Sequence, residues 1–267
     1  MKWLSFLVFI GCLASADVYA QTPKAIEGDL LRSFKKIDYW DEKMHNDTTG
    51  YHGFEDSLGK ADDVFAKKLK DYTGRYPLTI TQDFRTLKKE GLDVFTSSDG
   101  LFRIYSWETW LGGTMRDFAN ILQYKNGSKT QSIYLHSSAW SDNEPYIPFY
   151  SNLYTFNVNQ KTYYLGVYGC IYSSKDAGTG IQIFDIENGK LNEDVKIIKT
   201  ASGMHSKIYY DFDFFSVVDI PFNKRPTIYF DAATQTIHVP LVADKGRVTK
   251  KFIIYKFTGK YFEKVKS

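Results

Sequence analysis

The side chains that could do chemistry in this sequence are pairs of carboxylates, an aromatic stretch seeded with arginine, five histidines and two cysteines. Asp99 with Glu108, Asp142 with Glu144, and Asp211 with Asp213 are close enough along the chain for general acid–base work. Asp211 and Asp213 alternate with Phe212 and Phe214. A strand there would set both carboxylates on one face about 7 Å apart, a separation glycosidases use. The plainer reading is the solvated side of a strand. The histidines (His45, His52, His136, His205, His238) form no pair one helical turn apart, so no metal site is expected. Asp41 and His45 lie four apart at a helix end, which is compatible with a metal but equally with a surface pair. No nucleophile elbow, phosphate loop or Cys–His arrangement occurs, and Gly178-Thr179-Gly180 lacks the strand–turn–helix setting of a dinucleotide site. No cofactor is expected, and catalysis is left without a signature.

The densest stretch is Thr96-Ser97-Ser98-Asp99-Gly100-Leu101-Phe102-Arg103-Ile104-Tyr105-Ser106-Trp107-Glu108-Thr109-Trp110-Leu111-Gly112-Gly113-Thr114-Met115-Arg116. A turn at Asp99-Gly100 opens a strand, and Gly112-Gly113 closes a loop carrying two tryptophans. Alternation puts Phe102, Ile104 and Ser106 on one face and Arg103, Tyr105 and Trp107 on the other. Arg103 beside Tyr105 and Trp107 could make a cation–π stack or a bidentate carboxylate site. Trp107 and Trp110 could offer flat surfaces to a sugar ring or a peptide. Arg103, Tyr105, Trp107, Trp110 and Arg116 are therefore the candidate binding residues. The competing expectation is that both tryptophans plug the end of a sheet while Arg103 pairs with a structural carboxylate. Over roughly residues 60–135 the stretch resembles an uncharacterised family of secreted bacterial proteins with the pattern S-x-D-G-x-x-R-I-Y-S-W-x-T-x-x-G-G-T. That resemblance implies export and a β fold, and no activity.

Two sets of apolar residues at helical spacing precede this stretch. Ile26, Leu30, Leu31, Phe34, Ile37, Trp40 and Met44 form one; Leu58, Ala61, Val64, Phe65, Leu69 and Tyr72 form the other. A third helix is expected from Thr81 as N-cap to Glu90, with Gly91 after it. From about Asp93 the period changes to two. Strand-like runs cover 101–107, 118–125, 131–136, 153–158, 162–171, 180–186, 208–215, 227–231, 236–242 and 249–257. Turn signals such as Lys125-Asn126-Gly127-Ser128 and Glu187-Asn188-Gly189-Lys190 separate them. The expected fold is mainly β: N-terminal helices over 21–93 packed on an antiparallel β-meander body over 94–267. That body could be propeller-like, a barrel or a sandwich. Residues 154–191 and 227–262 can be laid side by side as possible repeats.

Composition sets the frame. The chain has 267 residues, 43% hydrophobic and 17% aromatic, with a net charge of +3. Such values exclude a disordered chain, and a mean hydropathy of −0.35 excludes a polytopic membrane protein. Lys2, the apolar run Trp3–Ala14 and Val18-Tyr19-Ala20 read as a secretory signal peptide over residues 1–20. Lipid anchoring at Cys12 is a minor alternative, because Phe9-Ile10-Gly11-Cys12 is a poor lipobox. The mature chain then holds Cys170 alone, in an apolar strand-like run where it acts as a small buried hydrophobe. From Lys245 to Ser267, eight Lys or Arg face one acid, Glu263, among aromatic residues. This could meet an acidic polysaccharide or a lipid headgroup surface, or it could be a lysine-rich edge strand that discourages edge pairing. Export removes nucleic acid from the expected partners. The expectation is an exported, periplasmic or secreted, non-catalytic binding or envelope-associated module for a glycan, peptide or protein. The alternative is a carboxylate-dependent hydrolase acting on a polymer such as a polysaccharide.

Overall fold

A computed structural model describes residues 22–49, 53–135, 148–221 and 224–265. The expected leader, Cys12, His52, His136 and the Asp142/Glu144 pair lie outside them. Thr22 caps the first helix, α1 (Pro23–His45), its hydroxyl accepting from the Ala25 N–H at 3.2 Å, and Pro23 fills the first turn. The second, α2 (Gly53–Arg75), packs antiparallel to it through Phe34 and Phe65, whose rings meet edge-on at 4.8 Å. Val64, on the apolar set by spacing, instead faces solvent at 48% exposure.

The third helix is shorter than its spacing predicts. A 3-10 turn covers Pro77–Ile80 and Thr81 ends it, so α3 runs only over Arg85–Lys89. Phe84 breaks the path. It is fully buried against Tyr105, at 5.7 Å, and takes a left-handed φ of 49°. Gly91 follows at φ 109°, as the C-terminal signal requires.

Among the described residues fifteen strands follow, in three open sheets. Sheet A is the meander β1 (Asp93–Thr96), β2 (Phe102–Glu108), β3 (Phe118–Asn126), β4 (Lys129–Leu135). Sheet B runs β5 (Phe149–Val158), β6 (Lys161–Ile171), β7 (Asp176–Glu187), then β11 (Lys207–Asp213), with β8 (Lys190–Asn192) also on β7. Sheet C has the order β10 (Gly203–His205), β9 (Ile198–Thr200), β15 (Phe262–Lys264), β14 (Arg247–Phe257), β13 (Thr236–Ala243), β12 (Tyr229–Asp231). Among the described residues every pairing is antiparallel except β15 with β9. Asn159 and Gln160, at φ 50° and 64°, and Asn188 and Gly189, at 51° and 72°, make the tight hairpins that the turn signals predict.

None of the sheets closes into a barrel; they stack sandwich-like. Val94, Tyr105, Ile121 and Tyr134 are register partners on one face of sheet A and pack beneath the helices. Phe95, Ile104, Leu122 and Ile133 share the other face and meet Tyr150, Tyr164, Tyr168 and Phe184 of sheet B. Gly166 lets these layers approach: a Cβ there would lie 2.9 Å from the Tyr150 ring. The far face of sheet B, with Phe156, Leu165, Ile181 and Ile183, packs on Ile237, Tyr255, Phe257 and Phe262 of sheet C. Each fully buried large side chain contributes roughly 1.5–3 kcal/mol. Cys170 is buried in the A–B layer. No helix among the described residues is long and apolar enough to cross a membrane.

The basic C-terminal hairpin needs a correction. Its main strand, β14, lies between β13 and β15, and the edges of sheet C are β10 and β12. Its lysines therefore guard no edge. The two segments that align as possible repeats are both meanders, but in different sheets, one built on β5–β7 and the other on β12–β15.

Candidate functional site

The structure separates the five sequence-predicted binding residues. Arg103, Tyr105 and Trp107 lie on the face of β2 that packs under the helices and are 5%, 0% and 2% exposed. None of them can present a surface to a ligand. Arg103 does stack, 6.0 Å from the Phe84 ring and 5.6 Å from Tyr105, but it pairs with no carboxylate among the described residues. Its guanidinium donates to Thr96 Oγ1 at 2.7 Å, Thr79 O at 2.8 Å and Gln82 O at 2.6 Å. It thereby ties the segment after α2 to the sheet. Trp107 donates its indole N–H to Asp62 Oδ1 at 2.7 Å and stacks on Tyr134. Burial pushes the Asp62 carboxyl up to about 7, despite the Trp107 hydrogen bond.

Trp110 and Arg116 remain at the surface, on the loop that joins β2 to β3. Thr109 closes this loop. Its N–H donates to Asp117 O at 3.0 Å, and its hydroxyl donates to Asp117 Oδ2 at 2.8 Å. Gly112 is obligatory, because a Cβ would sit 2.0 Å from Met115 O. Arg116 N–H donates to Ile171 O at 3.2 Å, anchoring the loop on sheet B. Trp110 has φ 62°, a left-handed conformation costly for a bulky residue, and stays 36% exposed. The Arg116 guanidinium sits over its ring at 5.3 Å and donates to Glu108 Oε1.

Three elements converge on this loop. The last turn of α1 brings Met44 and His45; the first turn of α2 brings Glu55; the end of β2 brings Glu108. Together with Trp110 and Arg116 they surround a pocket of about 350 Å³, with Asp41 behind His45. His45 Nδ1 lies 2.9 Å from Asp41 Oδ1. Burial raises the Glu108 carboxyl above its ordinary range; the Arg116 hydrogen bond and charge oppose this, and the negative charge of Asp41 adds to it. Asp117 is likewise raised by burial, against its bond from Thr109. The pocket thus offers one aromatic face, the Glu108–Arg116 ion pair, the His45–Asp41 contact and a carboxyl raised by burial. Two wider depressions, of about 560 and 510 Å³, hold the ion pairs Lys199 with Glu263 at 2.7 Å and Lys196 with Asp194 at 3.2 Å, beside Lys264 in the first and Lys207 in the second.

Of the carboxylate pairs read from the sequence, Asp99 and Glu108 do not assemble, while Asp211 and Asp213 share strand β11 but each is engaged within the protein. Asp99 sits at the opposite end of β2 from Glu108, where it accepts from Ser97 Oγ at 2.6 Å and Tyr164 Oη at 2.9 Å. Asp211 accepts from Tyr172 Oη at 3.1 Å, and Asp213 caps a 3-10 turn through the Phe215 N–H at 2.9 Å. Both are spent on an edge strand. Asp41–His45 does form the expected pair, but beside Glu108, which sequence spacing did not connect to it. Asp62 was legible in principle: it occupies the apolar stripe of α2 between Leu58 and Phe65. No group of three His, Cys, Asp or Glu side chains among the described residues is placed to hold a metal. No protein-family model matches the chain, and no curated protein matches it.

Proposed function

We propose that this chain is an exported, non-catalytic binding module of the cell envelope that takes a glycan in the pocket between α1, α2 and the β2–β3 loop. The observation that carries this reading is Trp110, held half-exposed at positive φ over the Glu108–Arg116 pair. Backbone strain of this kind costs about 1–3 kcal/mol and persists where surrounding contacts over-determine it, commonly at ligand sites. An indole face covers the apolar side of a sugar ring, while fixed carboxylate and guanidinium groups exchange hydrogen bonds with its hydroxyls. A volume of 350 Å³ suits a small ligand or the end of a longer one. Export rests on the apolar leader Trp3–Ala14 followed by Val18-Tyr19-Ala20.

One observation favours the second reading, a carboxylate-dependent hydrolase acting on a polymer. Glu108, raised by burial, shares the site with Asp41, a partnership suited to a general acid. The deciding experiment is a thermal-shift screen against neutral and amino sugars and their oligomers, with product analysis on every hit. A ligand at 100 times its Kd stabilises by about 2.7 kcal/mol, or roughly 5–10 °C here. Trp110→Ala should abolish the shift; a shift that survives it places the ligand elsewhere. New reducing ends that vanish in Glu108→Gln would establish the hydrolase instead.

A further inference from the structure

A free strand edge pairs with another strand unless it is short, bulged or covered. Among the described residues, β1, β8, β10 and β12 are edges of only three or four residues. The register of β5 is broken by a bulge between Tyr150 and Asn152. Strand β4 lies against α2, its Ser132 Oγ donating to Thr73 Oγ1 at 2.7 Å. Strand β11, at the other edge of sheet B, has seven residues, an unbroken register with β7 and no proline.

Register decides which backbone groups of β11 face outward. Ile183 N–H donates to Ser206 O at 2.8 Å and Phe214 N–H to Lys175 O at 2.7 Å, so the even-numbered residues from 206 to 214 exchange hydrogen bonds with β7. The N–H and C=O of Lys207, Tyr209, Asp211 and Asp213 therefore point away from it. At Asp213 the edge is closed, since a Cβ on Gly246 would lie 2.8 Å from its nitrogen. Beyond Lys207–Asp211, sheet B has no further strand among the described residues. Tyr209 at 60% and Phe215 at 59% are the two most exposed large apolar side chains among those residues, and Met204, at the other end, is 39% exposed. A depression of about 510 Å³ lies beside Met204, His205, Lys207 and Tyr209. Asp211 stays exposed although its Oδ1 accepts from Tyr172.

We infer that this chain forms a two-fold dimer in which β11 pairs antiparallel with β11 of a second copy, centred on Tyr209, so that the two B sheets become one. The sequence is self-complementary in that register. Tyr209 stands opposite itself, and each Lys207 stands opposite an Asp211, an opposite-charge pair that the symmetry makes twice. The pairs 207–211 and 209–209 match odd residues with odd, so the outward-facing N–H and C=O groups meet one another. A centre at Tyr210 would need Asp213, which Gly246 covers, and a centre at Asp211 would set two carboxylates against each other. The Tyr209 centre also carries the Phe215 end of each copy to the Gly203–Met204 end of the other. The most exposed apolar side chains and the depression are then covered together.

The test is sedimentation of the full chain across a dilution series. The mass should be twice 30.8 kDa at high concentration and fall toward 30.8 kDa on dilution. Tyr209→Pro removes an outward-facing N–H, a position where an edge strand accepts proline, and should give a monomer with an unchanged circular dichroism spectrum. Lys207→Asp sets acid against acid twice and should weaken the dimer about 10-fold. Adding Asp211→Lys to it should restore pairing, which keeps the inference testable if Tyr209→Pro fails to fold. Trp110→Ala should leave the mass unchanged, so this inference and the pocket proposal fail separately. A monomer throughout the series, a dimer that survives in folded Tyr209→Pro, or a charge swap that fails to restore pairing would each overturn it.

Discussion

The layer between the helices and sheet A and the layer between sheets B and C are both buried, but they are built differently. In the second, Phe156, Ile183, Ile237, Phe257 and Phe262 pack ring against methyl, and the buried Asp185 sits at the rim with Lys161 at 2.8 Å. In the first, apolar packing is threaded with directed bonds. Gln123 donates to Thr73 O at 2.8 Å and Thr79 Oγ1 at 2.7 Å and accepts from Tyr105 Oη at 2.8 Å, while Trp107 reaches Asp62. Apolar contact is non-directional and tolerates sliding; buried hydrogen bonds do not, because a lost partner costs roughly 1–3 kcal/mol. The helices are therefore fixed in register on sheet A. That register sets Asp41, His45 and Glu55 opposite the β2–β3 loop. The B–C layer supplies stability, and the helix layer supplies placement.

Four variants would break or sharpen this contrast. Trp107→Ala should be the most damaging, by about 4–5 kcal/mol, since it opens a cavity and strips the buried Asp62 of its donor. Equilibrium urea unfolding measures the loss. Phe262→Ala should cost about 3–4 kcal/mol in the B–C layer, with a loss that is the same at pH 5 and pH 8. A pH-dependent loss there would mean that the two layers are not chemically distinct.

Asp62→Asn isolates the charge. Folding raises this carboxyl from 3.8 to about 7, so the native state holds the proton more tightly than the unfolded chain does. Its contribution is therefore most favourable below pH 4 and is lost as pH rises toward and past 7, by at most ~4 kcal/mol. The asparagine keeps an acceptor for Trp107 and does not titrate. It should leave stability unchanged near pH 4 and raise it by about 2–4 kcal/mol at pH 8. A pH profile identical to the parent would remove Asp62 as the source. Smallest is Trp110→Gly, which relieves the positive φ at an exposed site and should raise stability by no more than about 1 kcal/mol. A large loss would make Trp110 a packing residue rather than a surface one.

Periodicity exposed the helices and most strands because both leave regular apolar stripes. It also placed Arg103, Tyr105 and Trp107 on one face of β2. It gave no sign of whether that face met helices or solvent, which depends on how α1 and α2 fold back over the sheet. The short strands β8, β9 and β10 escaped notice, since three residues make no pattern. The end of α3 was signalled by Gly91, while its start was hidden by the tertiary pull on Phe84. His45, Glu55 and Glu108 come from three separate elements, so only the fold brings them to one pocket.

The position of β15 sets the order in which this molecule can be made. Strand β15 lies between β14 and β9, and among the described residues β9 has no other neighbour in sheet C except its hairpin partner β10. Residues 198–205 therefore wait for a docking partner some sixty positions downstream. A nascent chain can assemble the helices with sheet A early, but sheet C stays incomplete until Phe262–Lys264 has been made. A chain clipped before Phe262 would keep a permanently unfinished face.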